Sequence, residues 1–371
     1  MILFIIAILL FVAYSILIFY YWLSWKAIPV FEPGSKNAST RISVIIAARN
    51  EEQNIGQLLQ ALEQQSYPKQ FFEVIVADDH STDKTAEVVK QYPGVKLLQL
   101  EDDEINSYKK KAIETGIGAA TGELIVTTDA DCIPQKEWLS IMARFYEEKK
   151  SAFIAAPVSY NCNSTVLQIF QAMDFMILQG ITGASVYRKV HSMCNGANLA
   201  YKRRLFYDVK GFEGIDNLAS GDDMLLMHKI WKQNQNNVHY LKSKDAIVST
   251  LPMITWNDFF NQRIRWASKA VKYDDKRIFW VLLLVYLLNL SFLAMLVAGF
   301  FDYRYWIFFL IFWLLKTLEE LPFFLSVSKF FNKQWTVKYF FFFQPLHILY
   351  TLIAGWLGQF LKYEWKGRNV R

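Results

Sequence analysis

Two carboxylates one residue apart, Asp129 and Asp131, follow the apolar, β-branched run Glu123-Leu-Ile-Val-Thr-Thr128. Such a run reads as a buried strand, and the exit of a strand is where an open α/β sheet places its chemistry. Two acids spaced i, i+2 at that point can reach one divalent cation together, which leaves other coordination positions to water and phosphate oxygens. The same pair would also serve as a solvated loop or a helix cap. Further acids follow other apolar runs: Arg49-Asn50-Glu51-Glu52 after Arg41–Ala47, and Asp78-Asp79-His80 after Phe72–Ala77. Later come Gly221-Asp222-Asp223, a general-base candidate or a helix cap before Met224-Leu225-Leu226, and Gln262-Arg263-Ile264-Arg265-Trp266.

The elements that must hold these groups are legible in the periodicity. Strands over 41–47, 72–77, 95–100 and 123–128 alternate with helices. In the first helix Ile55, Leu58, Leu59 and Leu62 share one face, and Asn50 is expected as its cap. Helices to about Gln91 and over Tyr108–Ala120 follow the next two strands. This alternation implies right-handed βαβ units and a mostly parallel sheet. No Gly-x-Gly-x-x-Gly and no Walker lysine signature follows any strand, which disfavours a dinucleotide oxidoreductase or a P-loop enzyme.

Ile45-Ile-Ala-Ala-Arg-Asn-Glu-Glu52, Val74-Ile-Val-Ala-Asp-Asp-His-Ser-Thr-Asp83 and Thr128-Asp-Ala-Asp131 resemble, in order and spacing, the donor half of the inverting family 2 glycosyltransferases with the GT-A fold. Ser192-Met-Cys-Asn-Gly-Ala-Asn-Leu-Ala-Tyr201 is similar to the glycine-containing strand lining that family's sugar pocket, and Ser220-Gly-Asp-Asp-Met-Leu-Leu226 stands where its catalytic acid pair stands. Gln262-Arg-Ile-Arg-Trp266 resembles the Gln-x-x-Arg-Trp motif of membrane-bound members such as cellulose, chitin and hyaluronan synthases and ceramide glucosyltransferase.

The resemblance implies a nucleotide-diphospho-sugar transferase domain with Mg²⁺ or Mn²⁺ on Asp131 and Asp129. Ala47, Arg49, Glu51, Asp79, Lys109, Asn195 and Gly196 would line the nucleotide sugar. Asp223 would be the general base beside Asp222, and Gln262, Arg263, Arg265 and Trp266 would meet the diphosphate and acceptor. Three departures stand out: Ala47 where proline is usual, His80 where a small residue is common, and Asp222 where glutamate is usual. Lys109 belongs to a run of three lysines that reads equally as a solvated helix face.

The chain has 371 residues, of which 53% are hydrophobic and 16% aromatic, an excess for a wholly soluble protein. Ile2–Trp22 is uncharged and long enough to span a bilayer, and without a basic n-region or cleavage site it reads as a retained anchor. Ile278–Phe300 and Tyr339–Leu361 are further candidates. Tyr305–Leu315 runs into Lys316, Glu319, Glu320 and Pro322, either a tilted span whose acids pair with Lys316 or an acceptor path. The expected organisation is an anchor (1–24), a cytoplasmic catalytic domain (25–277) ending in amphipathic interface helices, and a C-terminal membrane region (278–371) with two or three transmembrane helices. Gly34–Thr40, entered through Pro33, reads as a polar tether.

The net charge of +6 lies on the polar segment and the tail. Four crossings would separate that segment from Lys362, Lys366, Arg368 and Arg371, against the positive-inside tendency. Trp256, Phe259, Phe260, Ile264 and Trp266, mixed with Arg263, Arg265, Lys269 and Lys272, fit a helix lying flat on an anionic membrane. Cys132, Cys162 and Cys194 form no close pair, as in a reducing compartment, and His191, His228 and His239 lack metal-ligand spacing.

The expected protein is an integral enzyme of a bacterial cell membrane, facing the cytoplasm. Its partners would be a nucleotide-sugar donor, a lipid or glycan acceptor and the membrane, with no nucleic acid and with room for an oligomer or export partner. Single addition to a membrane lipid or lipid-linked glycan, in cell-envelope glycolipid or polysaccharide synthesis, is favoured over a processive β-glycan synthase. From other classes, a non-catalytic scaffold keeping the fold and a nucleotidyltransferase remain alternatives.

Overall fold

The computed structural model describes residues 2–32, 34, 37–101, 107–162, 165–216, 221–269, 275–360, 363–365 and 368–370. Along the chain these form α1 (Ile2–Ala27), β1 (Ile42–Ala48), α2 (Ile55–Glu63), β2 (Phe72–Asp78), α3 (Thr85–Lys90), β3 (Val95–Gln99), α4 (Tyr108–Gly118) and β4 (Leu124–Asp129). Next come β5 (Ile133–Pro134), α5 (Trp138–Lys149), β6 (Phe153–Ala155), β7 (Val158–Tyr160), α6 (Val166–Arg188), β8 (Leu199–Lys202), α7 (Arg203–Asp208) and α8 (Met224–Asn234). Then follow β9 (Val238–Tyr240), β10 (Val248–Thr250), α9 (Trp256–Ala267), α10 (Lys276–Ala298), α11 (Arg304–Phe330) and α12 (Phe340–Phe360).

The chain divides into two compact units: Met1–Ala27, Cys162–Ala184 and Pro252–Tyr363 form one, and Ile28–Asn161, Ser185–Leu251 and Glu364–Arg371 the other. The second unit is a mixed α/β fold on a seven-stranded sheet of order β3-β2-β1-β4-β8-β6-β9. β1 runs parallel to β2 and β4, while β8 runs antiparallel to β4 and β6. β1 and β4 are near-continuous apolar runs because helices cover both faces of such strands. On α2 the residues Ile55, Leu58, Leu59 and Leu62 are all buried, each contributing about 1.5–3 kcal/mol.

The chain winds from β1 outward to β3 and then returns to β4 on the other side of β1, so the order reverses there. Register levels the strand exits: Ala47 stands opposite both Ala77 and Asp129, and Ala48 opposite Asp78. This topological switch point is where an α/β sheet opens a crevice for a ligand. A second, three-stranded sheet of order β5-β10-β7 sets Val248 against Pro134 and Ser249 against Ile133.

Local expectations fail at identifiable points. α2 starts at Ile55 after Asn54, and Asn50 is not its cap: Asn50 adopts φ +51°, and its side chain accepts from the Thr82 N–H. His80 also takes a left-handed φ of +52°, which is why small residues suit that position. The glycine-containing segment is not a strand over 192–201, since pairing begins only at Leu199. The tether is partly fixed: the N–H groups of Ser39 and Thr40 donate to Glu147, and Arg144 donates to the Gly34 carbonyl. Pro33 and the tail cations Lys362, Lys366 and Arg371, with the Arg368 side chain, lie outside the described residues.

The first unit is helical. Four helical stretches are long and apolar enough to cross a membrane: Ile2–Ala27, Val166–Arg188, Lys276–Ala298 and Gln334–Phe360. The second was not anticipated, and it is largely enclosed by protein, whereas the other three are mostly exposed. α11 is one continuous helix through Pro322 and is not among the four. One of its acids meets a cation: Lys316 pairs with Glu320 at 2.6 Å and donates to Gln344, while Glu319 accepts from the Ser15 hydroxyl. Glu320 is thus paired with Lys316 as a charge among apolar helices must be, whereas Glu319 takes a hydroxyl instead of the cation. Gly180 of α6 lies so close to Val327 and Phe323 that a Cβ would stand 2.7 Å and 2.9 Å from them.

Candidate functional site

At the exit of β4, Asp129 receives the Lys109 ammonium from α4 at 2.8 Å. The same ammonium lies 3.2 Å from Asp222. Burial disfavours the Lys109 charge, but Asp129 and Asp222 outweigh it and raise its pKa. Lys109 is thus part of an acidic cluster and not a solvated face, and its neighbour Lys110 is buried with its ammonium on the Ile215 carbonyl.

Asp223 caps α8: its Oδ1 accepts the Met224 N–H at 2.7 Å, and its Oδ2 accepts the Gly196 N–H at 3.0 Å. The cap reading is thus met, and the cap fixes the carboxylate beside Gly196. A Cβ on Gly196 would stand 3.4 Å from both Asp222 Oδ2 and Lys109 Nζ. Asn195 precedes it and its side chain accepts from the Ala197 N–H, holding the turn. Ser220, at the start of the acid-pair motif, lies outside the described residues.

Asp131 is met by Thr250, whose hydroxyl donates to it at 3.2 Å. The β5–β10 register explains the contact, since Thr250 continues β10 past Ser249 towards the residues preceding Ile133. No local pattern could have revealed Thr250, 119 residues away. Cys132 was also missed, although it directly follows Asp131. Ligand atoms of Asp129, Asp131 and Cys132 lie within 4.8 Å of one another and could hold a metal ion. Burial, then Asp131 and Asp129, push the Cys132 thiol well up. The two carboxylates of this group suit a hard cation.

On the neighbouring strands, Arg49 donates to the Asp79 carbonyl at 2.8 Å and lies 3.8 Å from its carboxylate, and His80 Nδ1 lies 3.1 Å from the same carboxylate. Asp79 is tied to β1 through its N–H on the Ala48 carbonyl. Glu51 accepts from the Asn54 amide at 2.9 Å, and its N–H donates to Thr85. Ala47 lies at the level of Asp129 in the sheet. The histidines serve local roles: His191, His228 and His239 face Ser185, Ser192 and Ser151.

In the helical unit, α9 carries Gln262, Arg263, Arg265 and Trp266. Thr255 caps it by accepting the Asp258 N–H. Arg263 is not a surface cation: it is buried in an ion pair with Asp174 of α6 at 2.8 Å. Its guanidinium lies 4.3 Å from the Trp266 ring centre and 4.9 Å from that of Phe259. Gln262, Arg265 and Trp266 are half-buried, and among the described residues Arg265 has no ion pair. Lys272, assigned to the same basic face, lies outside the described residues.

Residues 43–210 match the family described as Glycosyl transferase family 2. A probable glycosyltransferase, YdaM, of Bacillus subtilis strain 168 is 26% identical over 61% of this chain and 54% of its own length. A beta-monoglucosyldiacylglycerol synthase of Nostoc sp. is 34% identical over 30% of this chain and 25% of its own. The chain thus spans about half or less of each of these relatives. Among solved structures, the mannosyltransferase PcManGT from Pyrobaculum calidifontis, in complex with GDP-Man and Mn²⁺, aligns over 93% of this chain and 99% of its own. At 20% identity and a TM-score of 0.61, it shows that the two share the GT-A-like fold.

Proposed function

We propose that this chain, which belongs to the family 2 glycosyltransferases through residues 43–210, transfers a sugar with inversion from a nucleotide sugar, a UDP-sugar in our reading, to a membrane lipid or lipid-linked glycan. The observation that carries the proposal is the convergence of Asp129, Asp222 and Lys109, with Asp223 beside Gly196, at the switch point of the sheet. Opposed charges gathered in a crevice suit a substrate that must be held through its diphosphate and parted from it.

In this reading Arg49, Glu51 and Asp79, with Ala47 at the strand edge, line the base and ribose. Asp131 and Asp129 hold Mg²⁺ or Mn²⁺, which when bound supplies positive charge to the leaving diphosphate. Lys109 exchanges its carboxylates for diphosphate oxygens. Asp223 takes the proton of the acceptor hydroxyl as its oxygen bonds to the anomeric carbon and the diphosphate departs. Asp222 holds Lys109, while Asn195 and Gly196 leave room for the sugar. From the motif alone, Arg265 is assigned to the diphosphate and Gln262 and Trp266 to the acceptor.

The membrane assignment rests on the four apolar stretches, and the related glucosyldiacylglycerol synthase supports a lipid acceptor. We place residues 1–24 as an anchor, 25–277 as the catalytic part facing the cytoplasm, and 278–371 as the membrane region. The test is mass spectrometry of products formed by the purified protein from a panel of sugar nucleotides with Mn²⁺ and native membrane lipids. One added sugar per lipid is expected, and Asp223→Asn should slow its formation at least about a hundredfold. A polymer ladder would refute single addition. Absence of any nucleotide release, with native and Asp223→Asn alike, would refute the enzyme.

A further inference from the structure

α6 is apolar enough to cross a membrane, yet most of it is buried, and it carries an acid, Asp174, that no motif includes. Asp174 and Arg263 are each only a few per cent exposed and pair at 2.8 Å. The Tyr350 hydroxyl of α12 donates to Asp174 at 2.5 Å, and His347 Nε2 lies 3.9 Å from it. One turn earlier on α6, buried Gln171 makes a reciprocal pair with the backbone of Met253: its amide nitrogen donates to the Met253 carbonyl, and its oxygen accepts the Met253 N–H, both at 2.9 Å. One residue later, the Phe175 ring centre lies 6.2 Å from that of Trp266. Three points on α6 therefore fix the segment that enters and forms α9.

Gln262, Arg265 and Trp266 follow i, i+3, i+4 spacing and share one side of α9, while Arg263 projects about 100° away. Pinning Arg263 consequently fixes the rotation of that side about the helix axis. The Arg263 guanidinium also lies against the Trp266 indole face, an arrangement that needs the charge held in place. A buried ion pair is weak evidence of stability, and its best-attested use is to specify one register among several.

We propose that Asp174 is a positioning residue: through Arg263 it sets the orientation in which α9 presents Gln262, Arg265 and Trp266 to the acceptor. This rests on the role given to α9 above. The carboxylate touches no reacting atom; it acts by excluding other rotations of the helix.

The experiment uses the full chain in detergent, with UDP and GDP as nucleotide probes in the presence of Mn²⁺, and sugar transfer to membrane lipid extract as the turnover assay. Asp174→Asn should lower transfer at least tenfold, while affinity for whichever nucleotide the native protein binds stays within twofold. Asp174→Glu should recover most of the transfer, and the double variant Asp174→Asn/Arg263→Gln should be no worse than Asp174→Asn, since the two act as one unit. Hydrogen exchange over 256–267 should quicken in Asp174→Asn, with 55–63 unchanged. Transfer within twofold of native, or nucleotide affinity lost in parallel with transfer, overturns the proposal. Should Asp174→Asn not fold, Arg263→Lys, which keeps the charge but not the planar guanidinium, must show the same split. If the native protein neither binds nucleotide nor transfers sugar, the functional reading fails instead. Exchange over 256–267 then decides the positioning role by itself: a rate unchanged in Asp174→Asn, or in Arg263→Lys, overturns it.

Discussion

Replacing Lys109 by methionine removes the cation from the acidic cluster while keeping the length of its apolar stem. In the native protein the ammonium stands 2.8 Å from Asp129 and 3.2 Å from Asp222. At an effective dielectric constant near 20, each attraction amounts to about 5–6 kcal/mol before desolvation. Most of that is cancelled by taking the groups out of water, and the remainder is screened because the Lys109 and Asp129 side chains are 24% and 36% exposed. The net loss should be about 1–3 kcal/mol, a fall of roughly 3–9 °C in the apparent unfolding midpoint for a unit of this size. The assay is thermal unfolding of the full chain in detergent, with EDTA and with saturating Mn²⁺. If Asp129 holds the ion as proposed, positive charge is restored there and the deficit should shrink to less than half in Mn²⁺. An equal deficit in both buffers would mean that Lys109 matters by packing alone, and no deficit at all would mean that the cluster needs no counter-charge.

Asp131→Ala should lower metal-dependent turnover at least about a hundredfold while the protein remains folded, as judged by unchanged circular dichroism. His239 on β9 has its pKa lowered to about 4 by burial, with Lys189 and Lys149 adding repulsion. The unfolded chain therefore binds its proton near pH 6.5 and the folded one only near pH 4. Its contribution is complete above pH 6.5 and is lost as pH falls towards 4. About 1–2 kcal/mol should disappear between pH 7 and 5 after allowance for partial exposure, and His239→Gln should flatten that slope in denaturant titrations. Gly122→Ala would put a methyl group 2.6 Å from the Ser43 nitrogen and 2.7 Å from the Ile42 carbonyl carbon. As those atoms belong to β1 or adjoin it in the chain, a loss of about 2–3 kcal/mol in a denaturant midpoint is expected.

The parallel half of the sheet was legible because its signals are local. Four apolar runs lie within 42–129, the first three each followed by a helix, and the acids after the first, second and fourth follow directly. The breaks came where structure depends on distant pairing. Thr250 reaches Asp131 only through the β5–β10 register, and Arg263 reads as a surface cation until Asp174 arrives from another helix. α6 escaped notice as an apolar element because Gln168, Gln171, Asp174 and Gln179 interrupt it; in the structure Gln171 and Asp174 bond to neighbouring segments instead of facing solvent. Asn50 was a sound cap by type, but the chain needed a left-handed residue there, and the helix began four residues later.

The strand order also sets a schedule for synthesis. β3, β2, β1 and β4 are complete once Asp129 has emerged, but the partner that closes β4, β8, begins at Leu199, 70 residues later (199 − 129). At about 5–20 residues per second, the β4 edge stays open for roughly 4–14 s. An apolar strand with unpaired N–H and C=O groups is a template for pairing with another chain. The apolar α6 leaves the ribosome within that same interval. Nascent chains should therefore be most exposed to misassembly, and most dependent on chaperone or membrane-insertion machinery, between the completion of β4 and the arrival of β8.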